Sequence, residues 1–157
     1  MAISHRPARV LAAVLGFMGV LHFAVPKPFD GLIPRALPGS RRAWTYGSGG
    51  AELAVATAVA VPRTRRLGGL LAALLFLGVF PGNVKMAMDA RTAPLPRRAI
   101  AWARLPLQWP LIAWALKVRD DAQLARTAHA SGISRSSRRS PSASSRSAGR
   151  IVRFART

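Results

Sequence analysis

The hydrophobic residues of this chain are concentrated in four long runs, separated by segments rich in Pro, Gly and Arg. The runs are residues 10–26, 43–62, 67–88 and 99–116. Each is close to the roughly 20 residues that an α-helix needs to cross the hydrocarbon core of a bilayer. None has the charged face expected of an amphipathic helix on a soluble protein. The pattern predicts an all-α protein, a membrane-embedded four-helix bundle, and favours it over a soluble four-helix bundle.

The predicted helices are residues 9–26, 43–61, 66–88 and 99–117, within one domain at 9–119. Two Arg residues precede the first run, as in a secretory signal, but no small-residue cleavage site follows, so we expect a retained helix. The loop 27–42 contains three prolines and several apolar residues. We expect it to contain no helix and to fold back onto the end of the bundle.

The composition changes abruptly near the carboxyl end. Residues 122–157 contain eight Arg, no acidic residue and many Ser. Such a segment has too little apolar surface to form a core, so we predict a disordered basic tail. Its charge suits anionic lipid headgroups, although a solvated extension without a dedicated partner is the simpler interpretation. We do not expect nucleic-acid binding, because the tail has hardly any aromatic residue for base stacking.

Lys and Arg placement gives the predicted topology. The net charge is +19, but without the tail the two sides of the membrane carry nearly equal numbers of basic residues. The tail and the compact basic turn 62–66 favour the side that holds both termini. By the positive-inside rule, we expect both termini in the cytoplasm.

Polar residues occur in all four predicted helices, in the same half of the membrane. A charge in the bilayer interior costs a few kcal/mol, so we expect Glu52 to face the bundle interior. There it would pair with Arg104 or accept a hydrogen bond from a neighbour. Two interpretations stay open: a site that holds a polar head group or passes protons, and a set of structural contacts between helices. The candidate residues are His22, Glu52, Asn83, Arg104 and Gln108.

Aromatic and small residues fit the same picture. Trp and Tyr side chains are expected at a membrane interface, and four lie towards the polar end of the predicted bundle. Small residues recur every four positions in the second helix, which permits close helix packing and would equally serve a homodimer. The four aromatic residues are Trp44, Tyr46, Trp102 and Trp109.

Soluble-enzyme motifs are absent from the sequence. The chain has no Cys and three His, so we expect no metal centre and no thiol redox chemistry. The segment YGSGGAEL lacks the lysine and the preceding strand of a phosphate-binding loop. No catalytic residue is identified, and no covalently bound cofactor is expected.

Several sequence blocks together resemble a known family. They are GVLHFAVPKPFDGLIPRALP, WTYGSGGAELAVA, VPRTRRLGGLLAALL, VFPGNVKMAM and WARLPLQWPLIAWAL. This series looks like the DoxX-like family of small four-helix bacterial membrane proteins, over roughly residues 9–116. The five candidate polar residues match recurring polar positions of that family, but the resemblance carries no catalytic role.

The resemblance implies a multi-pass protein of the bacterial cytoplasmic (inner) membrane. The family is named after a membrane subunit of a thiosulfate:quinone oxidoreductase. We therefore expect a non-catalytic membrane subunit or anchor of a redox complex, with redox-enzyme subunits as partners and a quinone as the ligand. The alternative is a small proton-linked transporter or permeability factor that uses the buried carboxylate of Glu52.

Overall fold

The computed structural model describes residues 6–34 and 36–138, and all regular structure in these ranges is helical. The helices are α1 (Arg6–Ala24), α2 (Pro26–Asp30), α3 (Arg41–Ala60), α4 (Arg65–Asp89) and α5 (Leu95–Arg138). Contacts divide the chain into two units, residues 1–125 and residues 126–157. The predicted all-α class is confirmed for the described residues.

Local sequence explains where α3 begins and ends. Gly39 has a φ of 84°, a left-handed conformation that favours glycine, and it turns the chain into the helix. The Ser40 side chain then accepts a hydrogen bond from the Ala43 backbone N–H at 3.1 Å, as an N-cap. Pro62 follows the last turn, where its ring prevents a further helical hydrogen bond. The next helix, α4, starts three residues later.

One hydrophobic core in the unit of residues 1–125 takes side chains from the four long helices. Five of its eleven buried members are Ala, and these short side chains allow the helix backbones to approach closely. The members are Ala8, Leu11, Leu15, Val55, Ala56, Val59, Ala72, Ala73, Phe76, Ala115 and Val118.

Glycines mark the points where the helices come closest. A Cβ on Gly49 of α3 would lie 2.7 Å from the Cβ of His22 in α1. A Cβ on Gly68 of α4 would lie 2.5 Å from the backbone N of Val59 in α3, and one on Gly69 would lie 2.8 Å from the α5 backbone. Three successive helix contacts therefore depend on the absence of a side chain.

Many large apolar side chains of the described helices are exposed. Among the described helices, α1 and α4 are long and apolar enough to cross a membrane, and only 28% and 33% of their apolar windows are buried. Large side chains such as Phe17, Leu74 and Leu77 are more than half exposed. Two helices that could span a membrane thus present most of their apolar surface outward.

Two expectations differ from the structure. The loop 27–42 was expected to contain no helix, but α2 forms there because both of its prolines lie in the first turn, where a missing N–H costs no hydrogen bond. Disorder was expected from residue 122, but α5 continues to Arg138. The segment AQLARTAHA consists largely of good helix formers, and a Lys117–Asp121 ion pair of 3.1 Å supports the turn before it. Residues 139–157 of the predicted tail lie outside the described residues.

Candidate functional site

His22 and Glu52 form a buried polar pair between α1 and α3. They are only 7% and 8% exposed, and His22 Nδ1 lies 3.2 Å from Glu52 Oε2. The two helices approach closely at Gly19 and Gly49. Gly19 lies one helical turn before His22, and Gly49 lies one helical turn before Glu52, so this approach brings the two side chains together. The prediction that Glu52 faces the interior is confirmed by its burial.

The hydrogen bonds of this pair leave one carboxyl oxygen without a donor. His22 Nδ1 lies 2.8 Å from the carbonyl oxygen of Met18, and because a carbonyl only accepts, Nδ1 carries the proton and donates it along the helix. Glu52 Oε2 is buried and accepts no hydrogen bond within the described residues. A buried polar atom without a partner is costly, so this oxygen is a candidate acceptor for a donor group from outside the protein.

The segment after α1 covers this pair. The ring of Phe29, in α2, stacks on the imidazole of His22 with a centroid separation of 3.8 Å. The next residue, Asp30, is held by α3: Arg42 donates from Nε and Nη2 to its carboxylate at 2.7–3.2 Å, and Thr45 Oγ1 donates at 2.7 Å. The expectation that the loop folds back onto the helix ends is confirmed by these contacts.

Further contacts attach the same segment to α1 and α4. Arg42 lies over the ring of Tyr46, 5.6 Å from its centroid, and Tyr46 stacks on Phe23 of α1. Lys85 of α4 donates to the carbonyl of Gly31 at 3.2 Å. The hydrogen bonds from Arg42, and then from Thr45, hold the pKa of Asp30 below its ordinary value of 3.8. Asp30 is therefore ionised and paired near neutral pH.

Asn83 and Gln108 form a second buried pair, between α4 and α5. Asn83 Nδ2 donates to Gln108 Oε1 at 3.1 Å, and Gln108 Nε2 donates to the carbonyl oxygen of Phe76. Pro81 also lies within α4, and because it has no N–H it donates no helical hydrogen bond to the carbonyl of Leu77. The two amides therefore bond to each other and to a backbone carbonyl of α4.

The predicted five-residue cluster is thus divided in two. No hydrogen bond or ion pair in the described ranges joins His22 and Glu52 to Asn83 and Gln108. Arg104 is partly buried in α5, and none of the ion pairs in the described part of the chain joins it to Glu52. Of the partners expected for Glu52, Arg104 therefore forms no ion pair with it, and His22 is its close polar neighbour.

Sequence reasoning missed several residues of this region. Thr45 is fully buried, and Phe29 and Asp30 cover the site; the signal for Asp30 was that it is the sole acid in the segment 27–42. Arg65, in the basic turn 62–66, is buried and donates from Nε to the carbonyl of Val59 at 3.0 Å. Its role in capping α3 has no distinctive sequence signal.

Two other features of the described residues bear on chemistry. A groove of about 610 Å³ lies along the first half of α3, between residues 38–40 and side chains that include Trp44 and Ser48, and none of the five candidate residues lines it. No group of three or more His, Cys, Asp or Glu comes together within the part that the structure describes.

Comparison with known proteins gives one match. The chain matches no curated protein and no solved structure. The sequence model of one family, described as Domain of unknown function (DUF8561), matches residues 11–119. That range contains α2, α3 and α4 completely and all five candidate polar residues. Since the match covers more than half of the chain, the protein belongs to the DUF8561 family.

Proposed function

We propose that this protein is a small integral membrane protein in which α1, α3, α4 and the first part of α5 cross the bilayer as a four-helix bundle. We further propose that it is a non-catalytic membrane subunit or anchor of a redox complex and binds a quinone head group at His22 and Glu52. Both termini are cytoplasmic in this proposal, and the membrane is the bacterial inner membrane.

The membrane proposal rests on where polar and apolar side chains lie. Compared with a soluble protein, polar side chains are buried and large apolar side chains face outward. Six polar side chains are buried in the described residues, whereas twenty-five large hydrophobic side chains are exposed. Monomeric soluble proteins rarely expose large contiguous apolar patches. Lipid tails would cover that surface, and the buried polar groups would bond to one another, as in helix packing within membranes. The buried set is His22, Thr45, Glu52, Arg65, Asn83 and Gln108.

Exposed aromatic residues agree with this placement. Trp44, Tyr46, Trp102 and Trp109 are all exposed, from 39% for Tyr46 to 76% for Trp109. Amphipathic rings of this kind favour the headgroup region of a bilayer. The four residues support an interfacial belt at the end of the bundle that holds the candidate site.

The ligand proposal rests on the unpartnered oxygen of Glu52. A hydroquinone hydroxyl would donate to Glu52 Oε2, the atom that accepts no hydrogen bond. The neighbouring imidazole of His22 has its Nδ1 proton committed to Met18, which leaves its other nitrogen as an acceptor when the ring is neutral. The chain contains no Cys, so the redox chemistry itself would belong to a partner protein. The resemblance to the DoxX-like family supports this choice of ligand and partner.

Topology is tested by single cysteines in an otherwise cysteine-free chain. We expect Lys27→Cys, in α2, to react with a membrane-impermeant maleimide in intact spheroplasts. Arg63→Cys, in the turn between α3 and α4, should react only after permeabilisation. Equal labelling of both variants without permeabilisation, or release of the protein from membranes by sodium carbonate, would refute the membrane proposal.

The ligand and partner are tested by purification from native membranes in a mild detergent, followed by mass spectrometry of bound proteins and lipids. We expect a redox enzyme or a quinone to copurify with the wild-type protein. The Glu52→Gln variant should retain a smaller amount of bound quinone. Asp121→Asn is the matched control, because Asp121 pairs with Lys117 on the surface of α5, away from the site. Recovery of the protein with bulk phospholipid alone would contradict the redox-subunit proposal.

A proton-linked transporter is the second candidate, and the same unpartnered carboxyl oxygen favours it, because a carboxyl without a fixed donor is free to exchange protons. This candidate predicts pH-dependent solute flux in proteoliposomes that contain the protein alone, abolished by Glu52→Gln. Proton pathways through a membrane usually use several ionisable groups, whereas Glu52 is a single buried carboxylate without a second acidic group. We therefore place the transporter second.

A further inference from the structure

We propose that α2 and Gly31 form a cover over the His22–Glu52 pair, and that Asp30 is the latch that keeps it closed. The inference rests on the proposed function, in that it takes this pair as the binding site. It adds a regulated entrance: a ligand reaches Glu52 when the cover opens.

The cover is defined by its contact with His22. Phe29 stacks directly on the imidazole, and His22 is 7% exposed although it lies in the last turn of α1, two residues from the helix end. The imidazole in turn lies against the Glu52 carboxyl. Access from the end of the bundle therefore requires that Phe29 move away from His22.

The latch, Asp30, follows Phe29 directly in the chain. Asp30 accepts hydrogen bonds from the Arg42 guanidinium and from the buried Thr45 hydroxyl, both on α3. Charge-assisted bonds to a guanidinium fork fix both position and orientation. Because Asp30 directly follows Phe29 in the chain, these bonds also set the position of the Phe29 ring.

The cover has few other attachments. α2 is five residues long, its N-cap side chain makes no hydrogen bond, and none of its residues is fully buried. A hydrogen bond from Lys85 of α4 to the Gly31 carbonyl also holds the cover, and it is exposed to solvent. Short, solvent-exposed elements of this kind open at lower free energy than the core around them. Loss of the Asp30 bonds would therefore shift the population towards the open form.

The experiment measures the rate at which diethyl pyrocarbonate modifies His22 in the full-length protein, in detergent and in liposomes, by mass spectrometry of the His22 peptide. Asp30→Asn keeps the size of the side chain and removes its charge, and Phe29→Ala removes the covering ring. We expect each to raise the modification rate of His22 about fivefold. Asp121→Asn, which breaks an ion pair of α5, should label at the wild-type rate.

Wild-type labelling in both Asp30→Asn and Phe29→Ala, with helix content unchanged by circular dichroism, would overturn the proposal. If Phe29→Ala loses helix, the result of Asp30→Asn decides alone. The outcome is separate from that of the proposed function, because labelling needs no ligand. Faster labelling in the variants with no quinone or redox partner recovered would keep the cover and reject the quinone site, and the reverse result would reject only the cover.

Discussion

Replacing Gly49 by Ala tests the closest contact between the two helices that carry the candidate site. The added Cβ would lie 2.7 Å from His22 Cβ and 3.1 Å from the Gly19 carbonyl oxygen. Both atoms are attached to or part of the α1 backbone, so neither can rotate away. The helices must separate by several tenths of an ångström, and the His22–Glu52 contact of 3.2 Å must lengthen with them.

The magnitude follows from two opposing effects. Inserting a methyl group into a packed contact costs about 1–3 kcal/mol. Ala is better than Gly in a helix interior by about 1 kcal/mol. Gly49→Ala is therefore expected to lower the free energy of unfolding by about 0–2 kcal/mol. Gly50 is the matched control, because its Cβ would meet no atom within 4 Å. Gly50→Ala gains the helix term alone, so it should raise stability by about 1 kcal/mol.

The comparison between the two variants cancels the helix term and isolates the steric cost, a difference of about 1–3 kcal/mol. Both are measured by equilibrium unfolding in mixed detergent micelles, followed by far-UV circular dichroism. Equal stability of Gly49→Ala and Gly50→Ala would show that α1 and α3 do not approach at Gly49 as described. The account of how His22 reaches Glu52 would then fail with it.

Three further results are expected. Arg65→Met removes the guanidinium that bonds to the last carbonyls of α3 and should destabilise the protein by about 2–3 kcal/mol in the same unfolding assay, with a stable variant contradicting the capping role. Gln108→Leu should lower the free energy of unfolding by about 1–3 kcal/mol. Because the two amides bond to each other, the double variant with Asn83→Leu should lose less stability than the sum of the two single variants, and additive losses would argue against this pair. Because the folded-state pKa of Asp30 lies below its ordinary 3.8, its contribution to the closed cover is complete above about pH 4 and is lost as the pH falls through the lowered value. Hydrogen exchange at the α2 amides, corrected for intrinsic rates, should accelerate over that acidic range in the wild type and not in Asp30→Asn, where Arg41, Arg42 and Lys85 remain as the nearby charges.

The helices were predictable because apolar runs and prolines act locally. The four runs correspond to α1, α3, α4 and the first part of α5, with ends that agree within a few residues except where α5 continues to Arg138. The bilayer argument also placed Glu52 in the interior correctly, since a carboxyl group on an apolar helix has few other stable positions. The prolines of the segment 27–42 do not predict the short helix α2, because proline breaks the interior of a helix but is tolerated in its first turn.

The sequence by itself determined the four long apolar helices and the burial of His22, Glu52, Asn83 and Gln108, because both depend on composition within a single segment. It did not determine which buried groups meet. Glu52 contacts His22 and not Arg104 because glycines bring α1 and α3 together, while Asn83 and Gln108 pair across a different interface. The tertiary structure alone decided that Phe29 and Asp30 lie over the site, since that arrangement depends on Arg42 and Thr45, which lie twelve and fifteen residues beyond Asp30 in the chain. Contacts between helices depend on relative rotation and separation, and a sequence of apolar runs does not specify either quantity.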